Sequence, residues 1–336
     1  MKKSLLKFYF FIVIVLMLTN FSCIKDPVFE SQENNMIQIP EGFPSITFPQ
    51  GNEFTLERWQ LGKRLFYDPI MSVNNTISCA SCHHAQNAFS DTVAFSIGDN
   101  NLAGRSNAPT LTNIAYNPYF TRAGGVPTLE MQILVPIQEH DEFNTNILDI
   151  VEKLKKDSSY TQASRQAYNR EIDPFVITRA IANFERSLIS GNANFDKNKF
   201  STSALNGKNL FMSNKTNCSQ CHSGFNFSNY TFENNGLYIN YADSGRMRLT
   251  QLETDRARFK VPTLRNIELT APYMHDGSFK TLNEVVAHYN TGGQYHKNKS
   301  TFIKPLGLSQ QEQNDIVAFL KTLTDYSFIN NKNFQK

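Results

Sequence analysis

Apolar residues recur every three or four positions in several stretches of the chain, and this is the spacing of one face of an α-helix. The first such stretch follows Thr55, a residue type that caps helix N-termini, and places Leu56 and Trp59 on one side. Asp68-Pro69 ends the stretch, because proline cannot continue a helix. The spacing predicts a helix from the Thr55 cap to Phe66.

A second amphipathic stretch lies in the middle of the chain. Asp173-Pro174 provides an N-cap and a proline at the first helical position. An apolar stripe follows and ends before Gly191; it consists of Ile177, Ile181, Phe184 and Leu188. We predict a helix that closes the first half of the chain.

Two capping boxes predict further helices in the second half. Thr281 with Glu284 opens a helix to about Asn290, and one face of it holds Leu282, Val285, Val286 and Tyr289. His288 faces another way. Ser309 with Glu312 opens the last helix, with apolar positions Ile316, Val317, Leu320 and Leu323. Strand signals are sparse, so the predicted fold class is mainly α.

Length and charge exclude some classes of function. The 336 residues are enough for two domains of ordinary size. The net charge of +3 is small and evenly spread, without a block of basic residues after the N-terminus, so it gives no argument for a nucleic-acid partner and none is expected.

The N-terminus has the features of an export signal. Lys2, Lys3 and Lys7 precede an apolar run, 8–18, that is too short to span a bilayer comfortably. Residues 1–23 resemble a lipoprotein signal that ends at Cys23, although Asn20 stands where an aliphatic residue is usual. A plain signal peptide and an uncleaved anchor are the alternatives, and all three export the protein.

Residues 24–50 carry four prolines among polar residues and predict a tether with little regular structure. The proposed domains follow at 51–195 and 196–336. Export also fits the cysteine count. Four of the five cysteines lie in two motifs and the fifth is Cys23, so none remains for a disulfide.

The two motifs are Cys79-Ala80-Ser81-Cys82-His83 and Cys218-Ser219-Gln220-Cys221-His222. CxxCH is the attachment site of c-type haem, in which both thiols bind the haem covalently and the histidine is an axial iron ligand. The chain is therefore expected to hold two haems, with His83 and His222 as proximal ligands.

The alternative for two CxxC pairs is a four-thiolate zinc site. The pairs are too far apart in sequence for the usual spacing, and a zinc site does not require histidine after each second cysteine. A dithiol redox centre is disfavoured because neither motif lies in a βαβ pattern.

An internal repeat precedes the motifs. Gly62-Lys63-Arg64-Leu65-Phe66 leads into the first and Gly207-Lys208-Asn209-Leu210-Phe211 into the second. A short helix that leads into CxxCH is typical of cytochrome c, and the repeat therefore predicts two cytochrome c-like haem domains.

On these motifs the chain resembles the bacterial dihaem cytochrome c peroxidases, especially their MauG-like branch, from about residue 51 to 325. Three further motifs carry the resemblance: 104–110 (GRSNAPT), 261–266 (VPTLRN) and 271–277 (APYMHDG). The resemblance implies a peroxidatic N-terminal haem and a C-terminal haem that relays electrons.

The resemblance also assigns residues around the first haem. Many members hold a removable histidine where this chain has Asp99, which implies an open iron position at the His83 haem. Glu142 matches the distal acid-base carboxylate and Gln132 the distal amide. A solvated loop carboxylate is the alternative for Glu142, and His140 is a weaker candidate for a sixth ligand or proton carrier.

Two residues compete for the distal side of the second haem. Met274 is the intuitive ligand, because Met/His ligation is common in electron-transfer cytochromes. The family position matches Tyr289, which the helix face also selects. A tyrosinate ligand would favour the ferric state over Met ligation.

The resemblance implies a calcium ion held by the Asn107 side chain and by the carbonyls of Thr270 and Pro272. Such hard oxygen ligands suit calcium. One departure concerns a Phe-Trp-Asp-Gly run that commonly lies between the haems. The corresponding stretch here is 120–124 (FTRAG), and the single tryptophan of the chain is Trp59.

The expected function is reduction of hydrogen peroxide, with electrons from a small cytochrome c or cupredoxin, outside the cytoplasm. The first rival is a MauG-like oxidase of a protein side chain or small organic molecule. The second rival is an electron-transfer cytochrome without enzymatic activity. Dimers are usual in the family, and only an N-terminal lipid would link the chain to a membrane.

Overall fold

The fold is mainly α, as the sequence predicts. The computed structural model describes residues 36–336. The predicted export signal and Cys23 lie outside the described residues. Among the described residues the helices are α1 Leu56–Tyr67, α2 Leu129–Gln132, α3 Leu134–Gln138, α4 Ile147–Leu154, α5 Ser158–Tyr168, α6 Pro174–Arg186, α7 Thr202–Phe211, α8 Cys218–Cys221, α9 Met247–Thr250, α10 Leu282–Thr291, α11 Gln310–Lys321 and α12 Tyr326–Ile329.

Short 3₁₀ turns and a two-stranded antiparallel ribbon complete the described elements. The turns span Pro69–Met71, Cys79–Ser81, Ala85–Asn87, Ile114–Tyr116, Glu253–Asp255, Ile267–Leu269 and Lys332–Phe334. The ribbon pairs β1 Phe232–Glu233 with β2 Phe259–Lys260, in a register that places Phe232 opposite Lys260.

The predicted helix caps are confirmed. The Thr55 side chain accepts a hydrogen bond from the backbone N–H of Arg58 at 3.3 Å. Both capping boxes form at the starts of α10 and α11. The helix that begins after Asp173 ends at Arg186, so Leu188 of the predicted stripe is buried in the turn beyond it.

The internal repeat forms two similar pairs of helices. Helix α1 packs on α6 in the first half, and α7 packs on α11 in the second. Each pair crosses at a glycine of the repeat. A Cβ on Gly62 would lie 1.8 Å from the Ala180 carbonyl oxygen, and one on Gly207 would lie 1.8 Å from that of Asp315. The crossings therefore require residues without side chains.

Each helix pair has its own aromatic core. Phe66 packs on Phe89 and Phe184 in the first half, with ring centroids 5.9 and 5.1 Å apart. Phe319 packs on Phe211 and Phe227 in the second, at 5.1 and 6.2 Å. Burial of such rings is the main stabilising contribution to each core.

Residues Ile39–Lys336 form a single unit by their internal contacts. A buried polar network joins its halves: Asn113 Nδ2 donates to Asn226 Oδ1 at 3.0 Å, and Asn266 Nδ2 donates to Ser190 Oγ at 3.0 Å. Phe328 of the C-terminal segment packs on Phe89, with centroids 5.8 Å apart. The boundary near residue 195 thus remains a proposed division within one packed body.

Residues 39–50, the described main part of the predicted tether, contain no helix or strand. They nevertheless pack on the body. Phe43 contacts the Phe225 ring at 4.6 Å between centroids, and the Pro44 carbonyl accepts from the Tyr116 hydroxyl at 3.0 Å. This part of the stretch is therefore not a free linker.

Candidate haem and catalytic sites

The histidine of the first CxxCH motif is oriented by hydrogen bonds to backbone carbonyls of Phe89 and Pro109. Cys79–Ser81 forms a 3₁₀ turn that Ser78 caps, and His83 follows it. His83 Nδ1 lies 2.8 Å from the Phe89 carbonyl oxygen. A ring nitrogen that donates to a carbonyl fixes the ring orientation, and in haem and metal sites the other ring nitrogen is the metal ligand.

The second motif repeats this arrangement. Cys218–Cys221 forms the short helix α8, and His222 Nδ1 lies 3.0 Å from the Phe227 carbonyl oxygen. Burial lowers the pKa of both His83 and His222, which favours the neutral imidazole that binds iron. All four motif cysteines are free and partly buried. These features fit covalently bound haem at each motif.

The two CxxC pairs do not have the arrangement of a zinc site. Within residues 36–336, no three His, Cys, Asp or Glu side chains form a group that could hold a metal ion. The two CxxC pairs therefore do not combine into a four-thiolate centre.

Glu142 lies on a tight turn that ion pairs hold in place. Its backbone N–H donates to the Glu139 carbonyl at 3.1 Å. Arg105 binds two carboxylates that precede Glu142 in the chain, with N–O distances of 2.7 Å to Glu139 and 2.7 Å to Asp141. The backbone at Gly98 also touches this turn, because a Cβ there would lie 2.3 Å from the Asp141 carbonyl oxygen.

The electrostatic surroundings of Glu142 suit a proton carrier. Desolvation by the surrounding protein raises its pKa to about 7, helped by the charges of Asp141 and Glu139, while Arg105 acts in the opposite direction. Glu142 is nevertheless an exposed residue by its solvent-accessible area, so its carboxylate lies among many protein atoms but still reaches solvent. The charge of Glu142 also contributes to the raised pKa of the Cys79 and Cys82 thiols, for which desolvation is the main cause. Glu142 thus lies close enough to the first CxxCH to act on it.

Gln132 ends helix α2, whose N-cap is Thr128. Its Oε1 atom is buried and has no hydrogen-bond partner among the described residues. An unpaired buried oxygen is costly, which indicates that a bound group completes its hydrogen bonding.

The position of α2 depends on a buried ion pair. Glu130 accepts from Arg186 at 2.7 and 2.9 Å and from Asn52 Nδ2 at 2.9 Å. The Arg186 and Glu130 side chains are only 8% and 11% exposed. Because Glu130 is two residues before Gln132, this pair fixes the start of the segment that carries the proposed amide.

Asp99 serves a structural purpose here. Its carboxylate is buried and accepts from the backbone N–H of Asn74 at 2.7 Å and from the hydroxyls of Ser72 and Thr76. The side chain is thereby committed to the loop that precedes the first motif. His140 is exposed, and its Nδ1 pairs with Asn144 Oδ1 at 2.8 Å on the same turn. That contact does not favour His140 as an iron ligand.

The second motif borders a cavity of about 250 Å³. His222, Tyr289 and Met274 all line it, together with the apolar face of α10. Desolvation raises the pKa of Tyr289 to about 12. The Met274 sulfur lies 3.2 Å from Asn235 Nδ2 and accepts its hydrogen bond. Both predicted candidates thus face the same cavity, and the Asn235 side chain hydrogen-bonds to each of them.

The predicted calcium residues do not fit calcium well. Arg122 donates to the Asn107 carbonyl oxygen at 2.6 Å and lies 3.3 Å from Asn107 Oδ1. A positive side chain therefore contacts the oxygen that should bind the ion. Thr270 and Pro272 lie nearby in the loop whose His275 carbonyl accepts from the Asn107 N–H at 3.0 Å.

Sequence reasoning missed three features around these sites. Glu185 is 5% exposed, and burial raises its pKa to about 8. Arg122 and the Glu130–Arg186 pair are the other two. Their partners are distant in sequence, and the single available signal was a charged residue next to the apolar stripe of a helix, as at Glu185 beside Phe184.

Comparison with known proteins agrees with this geometry. Residues 56–203 match the family model described as di-haem cytochrome c peroxidase, and residues 204–324 match the cytochrome c model. The chain belongs to the dihaem cytochrome c peroxidase and MauG family. Its two cytochrome c domains and their CxxCH motifs accordingly hold haem c.

The similar proteins include both MauG proteins and cytochrome c peroxidases. The chain is 34% identical to the methylamine utilization protein MauG of Methylorubrum extorquens, over 83% of this chain and 81% of the relative. It is 36% identical to the cytochrome c551 peroxidase of Nitrosomonas europaea, over 79% of each chain.

A solved structure is also similar. It is a MauG-like protein associated with microbial copper homeostasis, with a TM-score of 0.84 and 32% identity over 88% of this chain and 97% of that one. The chain is therefore an oxidoreductase of this family. Among residues 36–336, no helix has the length and apolar character needed to cross a membrane.

Proposed function

We propose that the protein is a dihaem peroxidase that reduces hydrogen peroxide to water. The observation that carries this proposal is Glu142, a carboxylic acid with a pKa raised to about 7, beside the first CxxCH. A general acid-base group works best when its pKa is close to the working pH. An electron-transfer cytochrome has no need of such a group.

Glu142 would move one proton within the bound peroxide. As a carboxylate it accepts the proton of one peroxide oxygen, and as a carboxylic acid it returns that proton to the other oxygen, which leaves as water when the O–O bond breaks. Two electrons and two further protons complete the conversion of one peroxide to two waters. The haem held by His83 supplies the iron site and redox chemistry for this cleavage.

Gln132 would orient the peroxide. Its unpaired Oε1 can accept a hydrogen bond, and the amide nitrogen of the same side chain can donate one. Both roles depend on a fixed α2, which the Glu130–Arg186 pair provides. The ion pairs of Arg105 with Glu139 and Asp141 hold the turn that carries Glu142 in place in the same way.

The second domain would deliver the electrons. His222 is its proximal ligand and Tyr289 its proposed distal ligand, with Met274 as the alternative. Tyr289 is supported by its place on the cavity-facing side of α10. The Asn235 side chain hydrogen-bonds to both Tyr289 and the Met274 sulfur, so this contact favours neither. The donor is proposed to be a small cytochrome c or cupredoxin outside the cytoplasm, with lipid anchoring through Cys23.

The test is peroxide-dependent oxidation of a reduced small cytochrome c by the haem-loaded protein. Glu142→Gln should lower kcat by about 100-fold or more, because general acid-base groups contribute about that much. Glu152→Gln is the control, since Glu152 is an exposed carboxylate on α4. Turnover that survives in Glu142→Gln, or its absence in the wild-type holoenzyme, contradicts the proposal.

A MauG-like oxidase is the second candidate. The Tyr289 position, the carboxylate at residue 99 and the relatives named MauG support it. Mass spectrometry of candidate organic and protein substrates after peroxide treatment distinguishes the two. A stoichiometric oxidised product, with little oxidation of cytochrome c, favours the oxidase.

A further inference from the structure

Arg122 lies in the stretch that departs from the family's Phe-Trp-Asp-Gly run. Its Nε and Nη2 atoms donate to the Asn107 carbonyl oxygen at 3.1 and 2.6 Å. Nη2 also lies 3.3 Å from Asn107 Oδ1. One guanidinium therefore engages both oxygens of Asn107.

The orientation of Asn107 is fixed by its other contacts. Its Nδ2 donates to the Val93 carbonyl at 3.1 Å, and its backbone N–H donates to the His275 carbonyl at 3.0 Å. The residue is 5% exposed. Oδ1 is thus held on the side that faces Arg122, and rotating it away would break the bond to Val93.

A second cation lies close to the first. Lys260 Nζ donates to the Tyr119 carbonyl at 3.0 Å, and the Lys260 backbone N–H donates to the Arg122 carbonyl at 2.8 Å. Both side chains line the cavity beside His222. Neither forms an ion pair with a carboxylate among residues 36–336, although Asp243 and Asp276 act on Arg122 through space.

We infer that Arg122 supplies, at Asn107, the positive charge that the family resemblance assigns to calcium, and that this protein functions without calcium at that position. Calcium binds oxygen at about 2.3–2.6 Å, so an ion on Asn107 Oδ1 would lie within a few ångströms of the guanidinium. Like charges at that separation repel strongly in a poorly solvated site.

The inference is independent of the proposed peroxidase activity, because its readout is the metal content. The holoenzyme is equilibrated with calcium, passed through a desalting column and analysed by inductively coupled plasma mass spectrometry, with haem measured in parallel. We expect no stoichiometric calcium, and no change in melting temperature when EGTA is added. Stoichiometric calcium that EGTA removes overturns the inference.

Variants test whether Arg122 is the cause. Arg122→Gln removes the charge and should acquire calcium on the Asn107, Thr270 and Pro272 oxygens. Arg122→Lys retains a charge and should remain calcium-free, as should Arg165→Gln, which removes an exposed arginine elsewhere. Haem content identifies folded holoprotein. Folded Arg122→Gln without calcium, or calcium in Arg122→Lys, overturns the assignment to Arg122.

Discussion

The backbone N–H of Asp99 donates to the carbonyl oxygen of Glu142 at 2.9 Å. Since the Asp99 carboxylate binds the backbone of Asn74 and the hydroxyl of Thr76, one residue connects the loop before the first CxxCH to the turn of the proposed acid-base group. The spacing between haem attachment and Glu142 is therefore set partly by Asp99.

Peroxide turnover should decline as the pH falls below about 7. Desolvation, together with Asp141 and Glu139, raises the pKa of Glu142 to about 7, and protonation below that pH removes the base. The measurement is kcat/KM for peroxide on both sides of neutrality. Glu142→Gln should lack this limb, and a wild-type profile that is flat through pH 7 would contradict the assignment.

Arg105→Gln should move that acidic limb to higher pH. The Arg105 charge lowers the pKa of Glu142, so its loss leaves the carboxylate beside two unpaired neighbours, Glu139 and Asp141. The pH profile is compared with that of Arg165→Gln, in which a remote exposed pair is broken. An unchanged midpoint in Arg105→Gln would show that the two groups are not coupled.

Arg186→Met should destabilise the protein strongly. It leaves the Glu130 carboxylate buried without its partner, which typically costs about 3–5 kcal/mol. Denaturant unfolding measures the loss, and Arg165→Gln should change stability by less than about 1 kcal/mol. Where Arg186→Met folds, peroxide turnover should also fall through displacement of Gln132. Full stability in this variant would refute the anchoring role of the pair.

Glu185→Gln should remove a pH-dependent loss of stability. Burial raises the pKa of Glu185 to about 8, whereas an unfolded glutamate ionises near 4.5. Between these values the unfolded chain releases a proton that the native state keeps, so wild-type stability falls as the pH rises. Relative to wild type, the melting temperature of the variant should increase from about pH 5 to about pH 8, the interval between the two pKa values. Above that interval the difference should level off. Glu152→Gln should follow wild type.

Substitutions at the second motif should separate the two candidate ligands. Tyr289→Met should raise the reduction potential of the second haem, because thioether ligation favours the ferrous state relative to tyrosinate. Met274→Leu should leave the potential nearly unchanged. Spectroelectrochemical titration of each holoprotein provides the measurement. A large shift in Met274→Leu alone would reverse the assignment.

Local sequence signals predicted the helices well. Thr55, Thr281 and Ser309 cap helices because the capping bonds lie within one turn of the chain. The two CxxCH motifs are equally local, and they identified both proposed proximal histidines. Patterns among neighbouring residues were thus enough to predict the fold class and the haem cofactor.

Interactions between distant residues were not predictable in the same way. The bond of Arg122 to Asn107 and the pairing of Glu130 with Arg186 depend on how separate segments pack. Residues 39–50 show the same effect, since prolines predicted a loose tether while Phe43 and Pro44 contact the body. Burial, which raises the pKa of Glu185, is likewise a property of the packed fold.

The glycine crossings of α1 with α6 and of α7 with α11 bear on mutational tolerance. At Gly62 and Gly207 even a methyl group would collide with backbone oxygen, which cannot rotate aside as a side chain can. In a saturation-mutagenesis library selected for haem incorporation, these two positions should lose every substitution together, while Lys63 and Lys208 beside them tolerate many. The duplicated helix crossing would then appear as a pair of matching invariant positions, one ahead of each haem motif.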